Sequence, residues 1–209
     1  MIPASLEVLP CDTGTDGEAP DDAVVGHRLP MTISEEFVTD ILKPYRAHAR
    51  YLKSAEITHC NTAMPPDGTK HASLITAAGR FSIDESCYID DTGHFNAAEF
   101  IICYNQLAYV MFAKCVDAGL IHPLWREKAS IPSMAEYKRD QLPRMVIVSV
   151  EGVRFFKQMK SDDFRAELSL KKASVKGSTW FLLTSITFSD CDGVQAKGSV
   201  MLAFSPRDA

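Results

Sequence analysis

Between Ser86 and Phe112 the chain reads SCYIDDTGHFNAAEFIICYNQLAYVMF, a polar loop followed by a stretch that is apolar on nearly every side. A helix built from Ala97, Ala98, Phe100, Ile101, Ile102, Cys103, Tyr104, Leu107, Ala108, Tyr109, Val110, Met111 and Phe112 keeps no solvent stripe, so its expected place is inside a sheet or a subunit interface. Glu99, Asn105 and Gln106 interrupt it. Each costs a few kcal/mol if buried without a partner, so each is expected to be hydrogen-bonded or to hold a ligand. These three also separate the run from a membrane span, which needs about 18–20 residues with few polar breaks.

The rest of the chain supplies strands. Residues 1–30, with Asp12, Asp16, Glu18, Asp21 and Asp22, read as a flexible acidic leader, and residues 31–209 as one domain. Thr32 with Glu35 predicts a capping box for a short helix carrying Phe37, Val38, Ile41 and Leu42, closed by Pro44. Arg50–Cys60 and His71–Ile83 read as strands joined by a long loop with Pro65, Pro66, Asp67 and Gly68. Gly119 is placed to end the apolar helix, and Ser133–Leu142 predicts another short helix before Pro143. Four further strands are expected at Met145–Phe156, Phe164–Val175, Thr179–Ser189 and Val194–Phe204, with turns at Lys176-Gly177 and Asp190–Gly193. One apolar helix enclosed by a curved antiparallel sheet is the α+β hotdog arrangement. An exposed sheet edge and so apolar a helix predict at least a homodimer, joined edge to edge.

Charge and motifs narrow the chemistry. A net charge of -5 and only short basic clusters argue against nucleic acid. Six cysteines without a CxxC pair, and no signal-peptide pattern at the start, point to a reduced cytoplasm. GxSxG, P-loop and dinucleotide fingerprints are missing from the sequence, and no cofactor is expected. His59 and His71 flank the long loop but lack a third ligand for catalytic zinc, so no metal is expected. Cys87 has no histidine placed by spacing to activate it.

The segment ESCYIDDTGHFNAAEFIICYNQLAY, with LKPYRAHARYL upstream, resembles the FcoT-like fatty acyl thioesterase family, which has the hotdog fold. The likeness rests on Tyr45 in KPY, Tyr88 in ESCYI, Thr92–Asn96 in TGHFN and Asn105 in CYNQLAY. It implies two chemistries: hydrolysis of fatty acyl thioesters and, in isonitrile-lipopeptide and β-amino-acid pathways, Michael addition of glycine to a 2-enoyl thioester on an acyl carrier protein. TGHFN is also similar to the G-H-F loop of hydroxyacyl carrier-protein dehydratases, whose helical acid is replaced here by Asn105. An amide keeps a hydrogen-bonding site but loses proton-transfer capacity.

The catalytic candidates are therefore Tyr45, Tyr88, His94, Asn96 and Asn105. The start of a buried helix offers N–H groups and a positive dipole end to an oxyanion or enolate, and an amine nucleophile brings its own lone pair. Each candidate has a structural reading beside it: wet aromatics for Tyr45 and Tyr88, a carbonyl-holding loop residue for His94, an N-cap for Asn96, a buried network for Asn105. Glycine's carboxylate needs a cation, for which His48 and Arg50 are candidates. Glu99 and Gln106, seven residues apart and on one side of the helix, read as a polar stripe at a dimer contact. The expected partners are a medium- or long-chain acyl thioester on acyl carrier protein or CoA, and glycine. Plain thioester hydrolysis and non-catalytic acyl binding stand as alternatives.

Overall fold

The computed structural model describes residues 28–61, 73–90, 93–120 and 130–205. The acidic leader up to residue 27, the loop with Pro65 and Pro66, His71 and Thr92 lie outside the described residues.

Seven strands form one antiparallel sheet: β1 (Met31–Ile33), β2 (Leu52–Cys60), β3 (Ile75–Phe81), β4 (Met145–Phe155), β5 (Phe164–Lys176), β6 (Thr179–Asp190) and β7 (Gly193–Phe204), in the order β1-β2-β3-β5-β6-β7-β4. Among the described residues three α-helices accompany it: α1 (Glu35–Ile41), α2 (Ala97–Asp117) and α3 (Met134–Arg144). Between β3 and β4 the chain leaves the sheet, runs through α2 and α3, and returns at the far edge beside β7. The sheet wraps α2, which is the hotdog arrangement.

Two glycines let the helix settle on the sheet. A Cβ on Gly79 would lie 3.1 Å from Leu107 Cδ1, and one on Gly198 would lie 3.0 Å from Phe100 Cζ. Beneath the first turns of α2, Phe95, Phe100, Phe164 and Phe188 form an aromatic cluster, with Phe95–Phe188 centroids 4.8 Å apart and Phe95–Phe164 5.0 Å. Phe95 thereby nails the entry of the helix to the core. At the other end Gly119 adopts φ 66, while its N–H and that of Leu120 reach the carbonyls of Val116 and Cys115, a Schellman close.

Several expectations change. Thr32 caps nothing. It lies in β1, paired with Glu56 of β2, and Ser34 caps α1 by accepting from Phe37 N at 3.2 Å. Pro143 sits inside the last turn of α3 instead of following it. The helix α2 is also not enclosed all round: Ala97 and Ala98 are exposed, and Ile101, Ile102 and Asn105 are half-buried. One chain's sheet covers only the opposite side.

Candidate active site

The site grows from the first turn of α2. Asn96, in extended backbone, is the N-cap: its Oδ1 accepts from Ala98 N at 2.9 Å and Glu99 N at 3.4 Å. Glu99 completes a capping box, its Oε2 accepting from Asn96 N at 3.1 Å. With Oδ1 turned toward the helix, the Asn96 amide nitrogen faces outward and donates to the Tyr88 hydroxyl at 2.7 Å. That bond uses Tyr88 as acceptor and leaves its own proton for another group. Tyr88 is 49% exposed, so the proton faces an accessible space.

Tyr45 packs against Tyr109 of α2, with ring centroids 6.4 Å apart. Burial, with smaller contributions from Tyr109, Cys103 and Cys87, pushes its phenol well above the ordinary tyrosine range. It is a neutral donor. His94 is exposed and, with Phe95, Asn96, Ala97, Phe155, Phe156, Lys157 and Gln158, lines an open cleft of about 530 Å³. Asn105 lies further along α2 on the half-open strip with Ile101, and its amide makes no hydrogen bond among the described residues. The structure thus joins Asn96 to Tyr88 directly, places His94 in the cleft that Asn96 lines, sets Tyr45 against Tyr109, and puts Asn105 apart along the helix.

The two cation candidates sit on the turn after α1. His48 is exposed in a 3-10 turn (Ala47–Ala49). Arg50 is engaged within its own chain, donating from Nε to the Tyr45 carbonyl at 3.0 Å and from Nη2 to that of Lys43 at 3.2 Å. It braces the segment that carries Tyr45.

The dimer-contact reading of Glu99 and Gln106 is corrected, because both side chains are fully buried within the chain. Gln106 Oε1 accepts from Tyr51 N at 2.9 Å and Leu52 N at 3.0 Å, and its Nε2 donates to Ala49 O at 2.6 Å. Periodicity placed the two residues on one side of α2, and what arrives there is the backbone entering β2. Tyr51, which sequence reasoning passed over, is the other half of that join. Its only sequence signal is its place at the end of the tyrosine-bearing segment.

Among the described residues, one group of potential metal ligands lies together: Asp190, Cys191 and Asp192 in the β6–β7 turn, where Asp190 already accepts from Asp192 N and Gln195 Nε2. That is ordinary turn chemistry. No helix among those residues is long and apolar enough to cross a membrane.

The chain is similar to several known proteins. The chain is 36% identical over 197 residues to a (2E)-enoyl-[ACP] glycyltransferase of Mycobacterium marinum, covering 90% of this chain and 96% of that protein. It is 32% identical over 177 residues to a protein of the same description from Streptomyces coeruleorubidus, covering 81% and 96%. Among solved structures, the dehydratase heterocomplex ApeI:P from Xenorhabdus doucetiae aligns with a TM-score of 0.47 at 14% identity, covering 87% of this chain and 94% of that one. The pattern of the FcoT-like thioesterase domain matches residues 40–204, and the chain belongs to that family.

Proposed function

We propose that this protein adds glycine to the β-carbon of a medium- or long-chain 2-enoyl thioester, carried on an acyl carrier protein or CoA, with hydrolysis of the same thioester as a possible following step. The observation that carries the reading is the charge state of the mouth. The two tyrosines are neutral donors, Tyr88 with its hydroxyl proton and Tyr45 with a phenol held protonated by burial; Lys157 lines the adjoining cleft, and the Asn105 amide lies further along the helix. Glu99, the carboxylate in the first turn of α2, is turned inward to cap the helix. Such a set favours an oxyanion or enolate over the removal of a proton by a strong base.

In this reading the thioester oxygen sits against Tyr88, with the positive end of the α2 dipole behind it. Glycine with its amine unprotonated attacks the β-carbon, electrons move onto the carbonyl oxygen, and the new ammonium loses a proton as the α-carbon gains one. His94, at the cleft beside Asn96, is our candidate to carry that proton. Tyr45 and Asn105 orient the thioester. Arg50 and His48 stand as candidates for glycine's carboxylate, although two of the guanidinium donors of Arg50 are already used. A second copy is proposed to cover the open strip of α2 and the edge strand β4, where Val146, Val148 and Val150 are exposed.

The test is product analysis by mass after incubation with decanoyl and 2-decenoyl thioesters on carrier protein and on CoA, with and without glycine. The enoyl substrate should give a product heavier by one glycine, and the saturated one at most free acid. Free acid from both substrates, with no adduct, would leave plain thioester hydrolysis. Absence of any turnover would leave acyl binding alone.

A further inference from the structure

Tyr51 is 0% exposed, and each of its three polar groups is committed. Its N–H donates to Gln106 Oε1 of α2 at 2.9 Å, and its carbonyl accepts from Ser82 N at 3.1 Å. Its hydroxyl accepts from Cys87 N at 2.7 Å. Gln106 is spent on the same place, with its amide nitrogen on Ala49 O. One buried residue therefore ties the middle of α2 to the loop between β3 and α2 at two points, the loop's entry and the residue immediately before Tyr88. From there the path returns to the helix through the bond between Asn96 Nδ2 and the Tyr88 hydroxyl.

The circuit can be walked: Gln106 on α2, Tyr51, Cys87, Tyr88, Asn96, and back onto α2. Tyr88 is half exposed and its ring has little packing of its own, so the loop backbone decides where its hydroxyl lies. Four bonds hold that backbone: Ile83 N donates to Ser161 O and Phe95 N to Met159 O at its two ends, while those of Ser82 and Cys87 end on Tyr51, and the Cys87 bond is the one adjacent to Tyr88. Burial, aided by Cys87 and Glu99, raises the Tyr51 phenol well above the usual range, so it remains a neutral group throughout the working pH range.

We propose that Tyr51 is a positioning residue: its hydroxyl fixes the Cys87 amide and thereby holds the Tyr88 hydroxyl at bonding distance from Asn96, aimed at the thioester oxygen. This rests on the reading of Tyr88 as a substrate-contacting donor. A displacement of about 1 Å in such a group costs up to roughly 100-fold in rate.

The experiment is a double-mutant cycle in the full chain, with glycine addition to a 2-decenoyl thioester as the readout. Tyr51→Phe keeps the ring and removes one oxygen, so it should lower kcat roughly 10- to 100-fold with little change in KM. In a Tyr88→Phe background the same substitution should cost less than about twofold, because the group it positions is gone. A general structural role would act in both backgrounds alike, so losses that multiply would overturn the proposal. Full loss in Tyr88→Phe with unchanged turnover in Tyr51→Phe would overturn the positioning role alone. Unchanged turnover in Tyr88→Phe would overturn the site reading beneath it. Amide hydrogen exchange on the unaltered protein gives an independent check that needs no variant to fold: Cys87 should exchange much more slowly than Glu85 and Tyr88, and equal rates would overturn the clamp.

Discussion

At its first turn α2 meets polar groups that already bond one another, Asn96, Glu99 and Tyr88, in a loop open to solvent. At its last turns, about 30 Å away along a helix of 21 residues, Phe112, Cys115 and Val116 face Ile75, Leu170 and Trp180 across an apolar cavity of about 60 Å³. The helix is continuous, so the difference comes from what the chain delivers to each end. At the N-terminus a loop arrives with hydroxyl and amide groups, while four backbone N–H groups need acceptors. At the C-terminus the Schellman close satisfies carbonyls from within the backbone, and no polar side chain is needed. The first end carries the proposed chemistry, and the second suits an apolar ligand or packing alone.

The sharpest way to break this contrast is to remove the cap. Asn96→Ala should abolish both the Tyr88 bond and the bonds to Ala98 and Glu99, lowering turnover by about 100-fold or more, as loss of an oxyanion donor does. It should also cost about 1 kcal/mol of stability, the usual value of a cap. Steady-state kinetics and chemical denaturation read the two effects separately. Stability loss without loss of turnover would make Asn96 a cap only.

Asn105 should behave differently, because its half-buried amide has no partner among the described residues. Asn105→Ala is expected to lower turnover about 10- to 100-fold while changing stability by less than about 0.5 kcal/mol. A larger stability loss would show that the amide works in an interface. Glu99→Gln isolates the charge within the capping box: the amide oxygen can still accept from Asn96 N, so the substitution should cost less than about 1 kcal/mol with the oligomer intact. If it abolishes thioester hydrolysis in a stable protein, Glu99 is a base for water and the inward reading fails.

What the sequence made legible follows the same division. Apolar periodicity, the TGHFN entry and Gly119 located α2 from end to end, because those signals are local. Features set by distant pairing were not legible. Thr32 and Glu35 have capping-box spacing, but the pairing of Thr32 with Glu56 draws it into β1 and hands the cap to Ser34. Gln106 is seven residues from Glu99, as a stripe requires, yet its partners are backbone groups some fifty residues earlier in the chain. Tyr51 looks like any strand tyrosine until Cys87 is seen against its hydroxyl. Asn96 was readable as a cap, while its grip on Tyr88 depends on how an eight-residue loop folds back.

Filling the apolar end should have a milder effect than opening the polar one. Leu170→Phe adds volume to the cavity wall, and if acyl chains extend that far it should lower kcat/KM for long chains several-fold while sparing short ones, since a methylene-sized mismatch is worth about 1–3 kcal/mol. Equal effects on every chain length, measured across a series of enoyl thioesters, would assign this end to packing alone.

The gentlest probe of the contrast is alkaline pH, through one buried thiol at each end. Cys103 is raised well above the ordinary thiol range by burial first, then by the charges of Glu99 and Cys87; Cys115 is raised by burial first, then by Cys60. In both cases the folded protein holds the proton more tightly than the unfolded chain. Stability from this source is therefore complete below the unfolded thiol value of about 8.5 and declines as pH rises toward the folded values. Each thiol that must stay protonated contributes a slope of up to about 1.4 kcal/mol per pH unit. Melting temperature should accordingly be level from about pH 7 to 8 and fall beyond about pH 9, more gently in Cys103→Ala and in Cys115→Ala than in the unaltered chain. Adding Glu99→Gln should end the fall through Cys103 at a lower pH, since it lowers the folded value and not the unfolded one, and leave the contribution of Cys115 unchanged. A response equal at both thiols would mean that the charge on Glu99 is not felt at Cys103, and the electrostatic difference between the two ends would be lost.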